Sequence, residues 1–225
     1  MTSTSPATVA SAARTVGRVV LLSAAIAASP VILAAGVHAN PGAPVPDADH
    51  ELGMYGDPVA AAAYWREQHA SDCGEMAVAD VVGEITGREP TEQQMITLAE
   101  NTPSAGGHGP IWTPTGTTNI ADLPVLLWHY WIRAENIQTD TDTVARKLGG
   151  NHKVIAILNA ETIWNRPGKR NSANHFVVVT GVDSKAGVVH LNDSGISTGR
   201  DEQVPIAVFE RAWAPNYNSA IVTKR

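Results

Sequence analysis

The sequence predicts an α+β fold, on two observations: helix-patterned segments occupy the first half of the exportable chain, and short β-branched runs occupy the second. With 225 residues, 44% of them hydrophobic and 17% charged, the chain can bury a sizeable core and is not a disordered one.

Residues 1–39 stand apart in composition. Arg14 and Arg18 precede an apolar stretch from Val19 to Val37 that ends in small residues suited to cleavage after Ala39, the pattern of an export signal. Left uncleaved, the same stretch is nearly long enough to anchor the chain in a membrane, although Pro30 and the many alanines weigh against that. Residues 40–55 begin with NPGAPVPDA and read as a Pro-rich spacer, which leaves 56–225 as the domain.

The elements of that domain follow in order. Asp72 with Glu75 has the capping-box spacing for a helix to about Thr86, and Thr91 with Gln94 has it for a helix to about Glu100. A Gly/Pro-rich loop spans 103–116, NIADLPVLLWHYWI (119–132) reads as helix, and Asp140 or Thr141 caps a short helix to Leu148. Strands follow at KVIAIL (153–158), HFVVVTGV (175–182) and VVHL (188–191), and Lys185–Gly187 makes a hairpin between the last two. A helix at 204–213 and a strand at 219–223 close the chain.

Loss of residues 1–39 removes two arginines and no acid, leaving 14 basic against 22 acidic residues, a formal charge of −8. That balance opposes nucleic acid as a partner. No basic run is available for anionic lipid, so membrane contact is expected only if the N-terminal segment stays attached.

Cys73 is the only cysteine, so neither an internal disulfide nor a cysteine metal cluster can form. It sits in QHASDCGEM at a predicted helix start, where the partial positive charge of the helix N-terminus favours thiolate, the nucleophilic form. Glu75, two residues on, is either a cap or a charge facing the thiol. A thiol nucleophile needs a base within hydrogen-bond reach. Among eight histidines, His175 opens a hydrophobic strand after the polar loop 165–174 and is the preferred candidate, with His190 in the next strand as its rival. Asp193 in NDSG (192–195) ends the paired strand and is placed to orient the imidazole. Gln68, with the backbone N–H of Cys73, is the candidate oxyanion donor. Of the tryptophans, Trp128 and Trp131 are read as core, and Trp112 and Trp164 as loop residues bordering the site.

QHASDCG, HFVVVTG and NDSG, in that order, resemble the papain-like cysteine peptidases that process bacteriocin leaders (the C39 peptidases), most of all their stand-alone exported relatives. The resemblance spans residues 64–215. It implies a papain-like fold in which an N-terminal helical half carrying the nucleophile packs on a C-terminal antiparallel sheet. It further implies Cys73 as nucleophile, His175 as base, Asp193 as the orienting acid and Gln68 in the oxyanion hole, with a peptide or protein substrate and no metal or cofactor. The expectation is an exported cysteine peptidase or amidase, secreted or held in the cell envelope. Two alternatives stay open: a thioester-forming acyl transferase of the transglutaminase kind, and a non-catalytic peptide-binding module of the same fold.

Overall fold

The computed structural model describes residues 53–224; the expected signal segment and spacer residues 40–52 lie outside the described residues. Within that range the chain forms β1 (Met54–Gly56), α1 (Pro58–Ala61), α2 (Cys73–Thr86), α3 (Glu92–Glu100), α4 (Leu123–His129), β2 (Ala134–Gln138) and α5 (Thr141–Gly149). It continues through β3 (Val154–Leu158), α6 (Ala160–Ile163), β4 (His175–Asp183), β5 (Val188–Asn192), β6 (Glu202–Pro205), α7 (Ile206–Trp213) and β7 (Ser219–Thr223). The class is α+β, as expected.

All pairings in the sheet are antiparallel, in the order β2-β7-β3-β4-β5-β6, and β1 takes over the edge of β4 beyond Val179, where the pairing of β4 with β3 stops. The spacer therefore ends sooner than the expected position 55, because Met54 to Gly56 pair with Asp183 to Gly181. Gly56 permits this: its φ is +90°, and a Cβ there would collide with the Thr180 carbonyl.

Period-two alternation divides the core between the two faces of the sheet. Ala156, Leu158, Val177, Val179, Ala220 and Val222 pack with Val144, Leu148, Phe209 and Trp213 of α5 and α7. Ile155, Phe176, Val178 and Ile221 point the other way, onto Val78, Val82, Met95, Leu123 and Leu127 of α2, α3 and α4. With both faces covered, the central strands are buried almost throughout, which is why they read as continuous apolar runs.

Three expectations are corrected. The helix expected over 119–132 is a short 3-10 turn at Ile120–Asp122 followed by α4, which ends at His129. Trp131 sits beyond it with φ +62°, and it and Trp128 are exposed (81% and 53%) rather than core, packing edge-to-face on one another. The helix expected from 204 begins at Ile206, because Val204 is buried in β6 against β5. Among the described residues, no helix is long and apolar enough to cross a membrane.

Candidate active site

Cys73 is the first residue of α2 and is half-buried, packed beside the helical core. The loop leading to it is held at several points. Gln68 donates its backbone N–H to the Ser194 carbonyl (2.9 Å) and accepts from Ser194 Oγ through Oε1 (2.8 Å). Trp112, buried, donates Nε1 to the Ser71 carbonyl (2.9 Å), and His69 Nδ1 meets Glu92 at the start of α3 (2.8 Å). A loop so tied presents the thiol at a set position.

The capping box expected at this helix does not form. Asp72 occupies the N-cap position but makes no side-chain cap bond; its carboxyl is buried, and burial, followed by the charge of Glu92 and a hydrogen bond with it, raises its pKa to about 6. Glu75, in the first turn, does not reach back to the cap either. It is fully buried and accepts from Thr118 Oγ1 at 2.7 and 2.9 Å, and burial outweighs that bond to lift its pKa to about 7. Long-range packing against the 113–119 loop thus overrides the local capping signal. At α3 the same signal is obeyed in full: Thr91 and Gln94 bond reciprocally.

His175 opens β4 and is 4% exposed. Its Nε2 lies 2.7 Å from Asp193 Oδ1, which leaves the other ring nitrogen for its hydrogen bond with Cys73. Asp193 follows directly on β5 and is wholly buried, so the antiparallel β4–β5 pairing brings acid and imidazole together, as the strand-end positions predict. Burial alone would lower the pKa of His175. The hydrogen bonds to Asp193 and Cys73, with the charges of both, override burial and raise it to about 10. The rival histidine is engaged elsewhere: His190 Nδ1 pairs with Asp201 at 2.7 Å.

Asp193 is held by groups that sequence reasoning did not identify. Gly195 N–H donates to Oδ1 (2.7 Å), Trp164 Nε1 donates to Oδ2 (2.8 Å), and Trp65 Nε1 donates to the Asp193 carbonyl. Trp164 also lies against the His175 ring, with centroids 4.9 Å apart, so its expected place at the border of the site is found. The expectation for Trp112 is only half met, since it supports the Cys73 loop from within the core. Gly199 completes the enclosure: a Cβ there would strike the Asp193 carbonyl. The NDSG turn motif was the one available signal for this loop, and it announces the bend but not the tryptophans.

Gln68 is brought beside the site by its bonds to Ser194, while its Nε2 donates one hydrogen to the Ala70 carbonyl (2.8 Å) and keeps a second. Glu202, at the start of β6, is a further neighbour that sequence reasoning missed. Its pKa is raised to about 7 by burial and then by the charge of Asp193, with His175 opposing.

Comparison with known proteins bears on the fold and the family. An uncharacterized protein of Mycobacterium bovis is 43% identical over 195 residues, covering 76% of this chain and 84% of the relative. Uncharacterized proteins of two Mycobacterium tuberculosis strains match to the same extent. Among solved structures, a protein assigned as a C39-like peptidase from Bacillus anthracis superposes with a TM-score of 0.57 at 16% identity, over 76% of this chain and 98% of that one. The peptidase domain of Streptococcus ComA, a bifunctional ABC transporter of a quorum-sensing pathway, gives 0.50 at 16% identity, over 72% of this chain and 98% of that domain. These likenesses establish the papain-like α+β fold. The family model for C39-like peptidases matches residues 63–221, nearly the whole of the described chain, and on that match the protein belongs to the Peptidase_C39 like family.

Proposed function

We propose that this chain is an exported cysteine peptidase or amidase acting through a thioester. The observation that carries the reading is the single buried imidazole that reaches both Cys73 and Asp193. In this mechanism Asp193 holds Nε2 and so aims the other ring nitrogen at the thiol. His175 takes the thiol proton, and the thiolate of Cys73 adds to the amide carbonyl. The oxyanion rests on the backbone N–H of Cys73, which heads its helix, and on the second hydrogen of Gln68 Nε2. As the C–N bond breaks, His175 passes its proton to the leaving amine and the acyl group remains on sulfur. A water that gives a proton to His175 then attacks the thioester, releasing the acid and restoring the thiol. Residues 1–39 serve as the export signal in this reading, and the substrate is a secreted or envelope peptide.

The test is cleavage of a peptide library by the full chain beside Cys73→Ser and His175→Ala. Products only from the unaltered protein are expected, and equal activity in Cys73→Ser refutes the mechanism. Iodoacetamide labelling addresses the binding-module alternative: alkylation of Cys73 that is fast and slows in His175→Ala supports the enzyme, whereas a rate equal to that of free cysteine refutes it. Export is checked by N-terminal sequencing of the protein recovered from the culture medium or envelope, where a chain beginning at Asn40 is expected and one beginning at Met1 overturns the cleavage.

A further inference from the structure

Beside His175 lies a cleft of about 510 Å3, lined by Trp164 and Gly195. Both of these touch His175: the Trp164 ring packs at a tilt against the His175 ring, with centroids 4.9 Å apart, and a Cβ on Gly195 would come within 2.8 Å of His175 Cε1. Its charged lining is Glu202, Glu67 and Arg166. The Arg166 guanidinium is drawn over the Trp164 ring, 4.8 Å from its centroid, rather than onto a carboxylate of the cleft. Glu202 forms no ion pair among the described residues, although the charge of His175 acts on it, and its Oε2 is out of solvent and without a hydrogen bond. A carboxylate so placed is poorly hydrated, and a cation entering the cleft compensates it more strongly than water does.

Under the mechanism proposed above, His175 delivers its proton to the leaving amine, so a cleft walled by groups that touch His175 receives the leaving-group side of the substrate. From this geometry we infer that Glu202 is a specificity residue, which binds the cationic side chain of a lysine or arginine that follows the scissile bond. The pKa of Glu202, raised to about 7 with the cleft empty, agrees with a carboxyl that lacks its counter-ion.

The inference rests on the peptidase reading for its orientation, so the experiment has a binding arm that needs no catalysis. Full-chain Cys73→Ser is titrated with arginine amide and with citrulline amide, which replaces the guanidinium by a neutral urea of similar shape, and affinities are read by calorimetry. Arginine amide is expected to bind about tenfold more tightly, a preference that falls in high salt and is lost in Glu202→Gln. Equal affinities refute the inference, as does a preference that survives in Glu202→Gln. The wild-type preference and its salt dependence require no change at Glu202 and decide the matter should that variant fail to fold. In the catalytic arm, peptides with arginine or citrulline after the scissile bond are compared by kcat/KM. Their ratio is expected to be about ten in the unaltered protein and to approach one in Glu202→Gln, while any effect of the substitution on His175 acts on both peptides and cancels. If neither peptide is cut faster than by Cys73→Ser, the peptidase reading fails, and the binding arm still decides whether the cleft recognises a cation.

Discussion

Glu75 offers a test of the electrostatics at the start of α2, the helix that Cys73 heads. Its carboxyl is fully buried, accepts from Thr118 Oγ1, and has its pKa raised by burial from the ordinary 4.5 to about 7. An acid whose folded pKa is raised binds its proton more tightly in the folded chain. Its contribution is therefore complete below about pH 4.5 and is lost as pH rises to about 7, beyond which it is constant. A shift of that size corresponds to on the order of 3 kcal/mol at about 1.4 kcal/mol per pKa unit. Glu75→Gln keeps a neutral group of the same shape whose carbonyl oxygen still accepts from Thr118, and it has no proton to lose. At about pH 4.5 the two proteins should melt together, while at about pH 8 Glu75→Gln should melt higher by roughly 6–12 °C, from 2–4 °C per kcal/mol for a domain of this size. Tryptophan fluorescence melts across that range read the difference. Asp72, Glu89 and Glu202, also raised by burial, tilt both curves the same way and cancel between them. Parallel curves with a pH-independent gap would falsify the assignment of this titration to Glu75.

Three further outcomes are expected. Trp164→Phe keeps a ring against His175 but removes the indole N–H from Asp193 Oδ2, and should slow iodoacetamide labelling of Cys73 about tenfold; an unchanged rate means that Asp193 does not depend on that bond. Gly199→Ala forces a methyl group onto the Asp193 carbonyl, so it should destabilise the fold by about 2 kcal/mol and lower the labelling rate as the loop shifts, whereas wild-type stability would show that the loop has room. Lys153→Met strips Glu84 of its 2.7 Å ion pair, and since both side chains are largely buried, unfolding in urea should show a loss of about 3 kcal/mol; a loss below about 1 kcal/mol would mean that Glu84 is already neutral.

The strands that the sequence reveals are the central ones, and the strands it conceals lie at edges. β3, β4, β5 and β7 are covered on both faces and carry β-branched runs, whereas β2, reading AENIQ, and β6, reading EQVP, are the outermost strands of the sheet and keep polar, half-exposed residues. An edge strand has one partner and little to bury, so its composition matches that of a loop. β1 is too short for any periodicity and exists because Gly56 lets its backbone approach Thr180. The tryptophans have a different cause: Trp128 lies on the face of α4 opposite the buried Leu123, Leu126 and Leu127, and α4 stops at His129, two residues short of Trp131.

Cys73, His175 and Asp193 are legible because each stands at the end of an element, and element ends carry local signals. A helix start, a strand start after a polar loop and a turn after a paired strand can all be read within a few residues. Once the hairpin at Lys185–Gly187 pairs β4 with β5, the meeting of the last two follows from the pairing itself. What tunes those residues obeys no such rule. Thr118 reaches Glu75 across 43 positions, Trp65 reaches the Asp193 carbonyl across 128, and Ser194 reaches Gln68 across 126. Such partners are chosen by the packing of loops on a finished sheet, so the identity of the candidate site residues is local information and their electrostatics is not. Glu75 shows the distinction most directly: its spacing from Asp72 is that of a cap, yet the burial that raises its pKa arises only when the 113–119 loop closes over the helix.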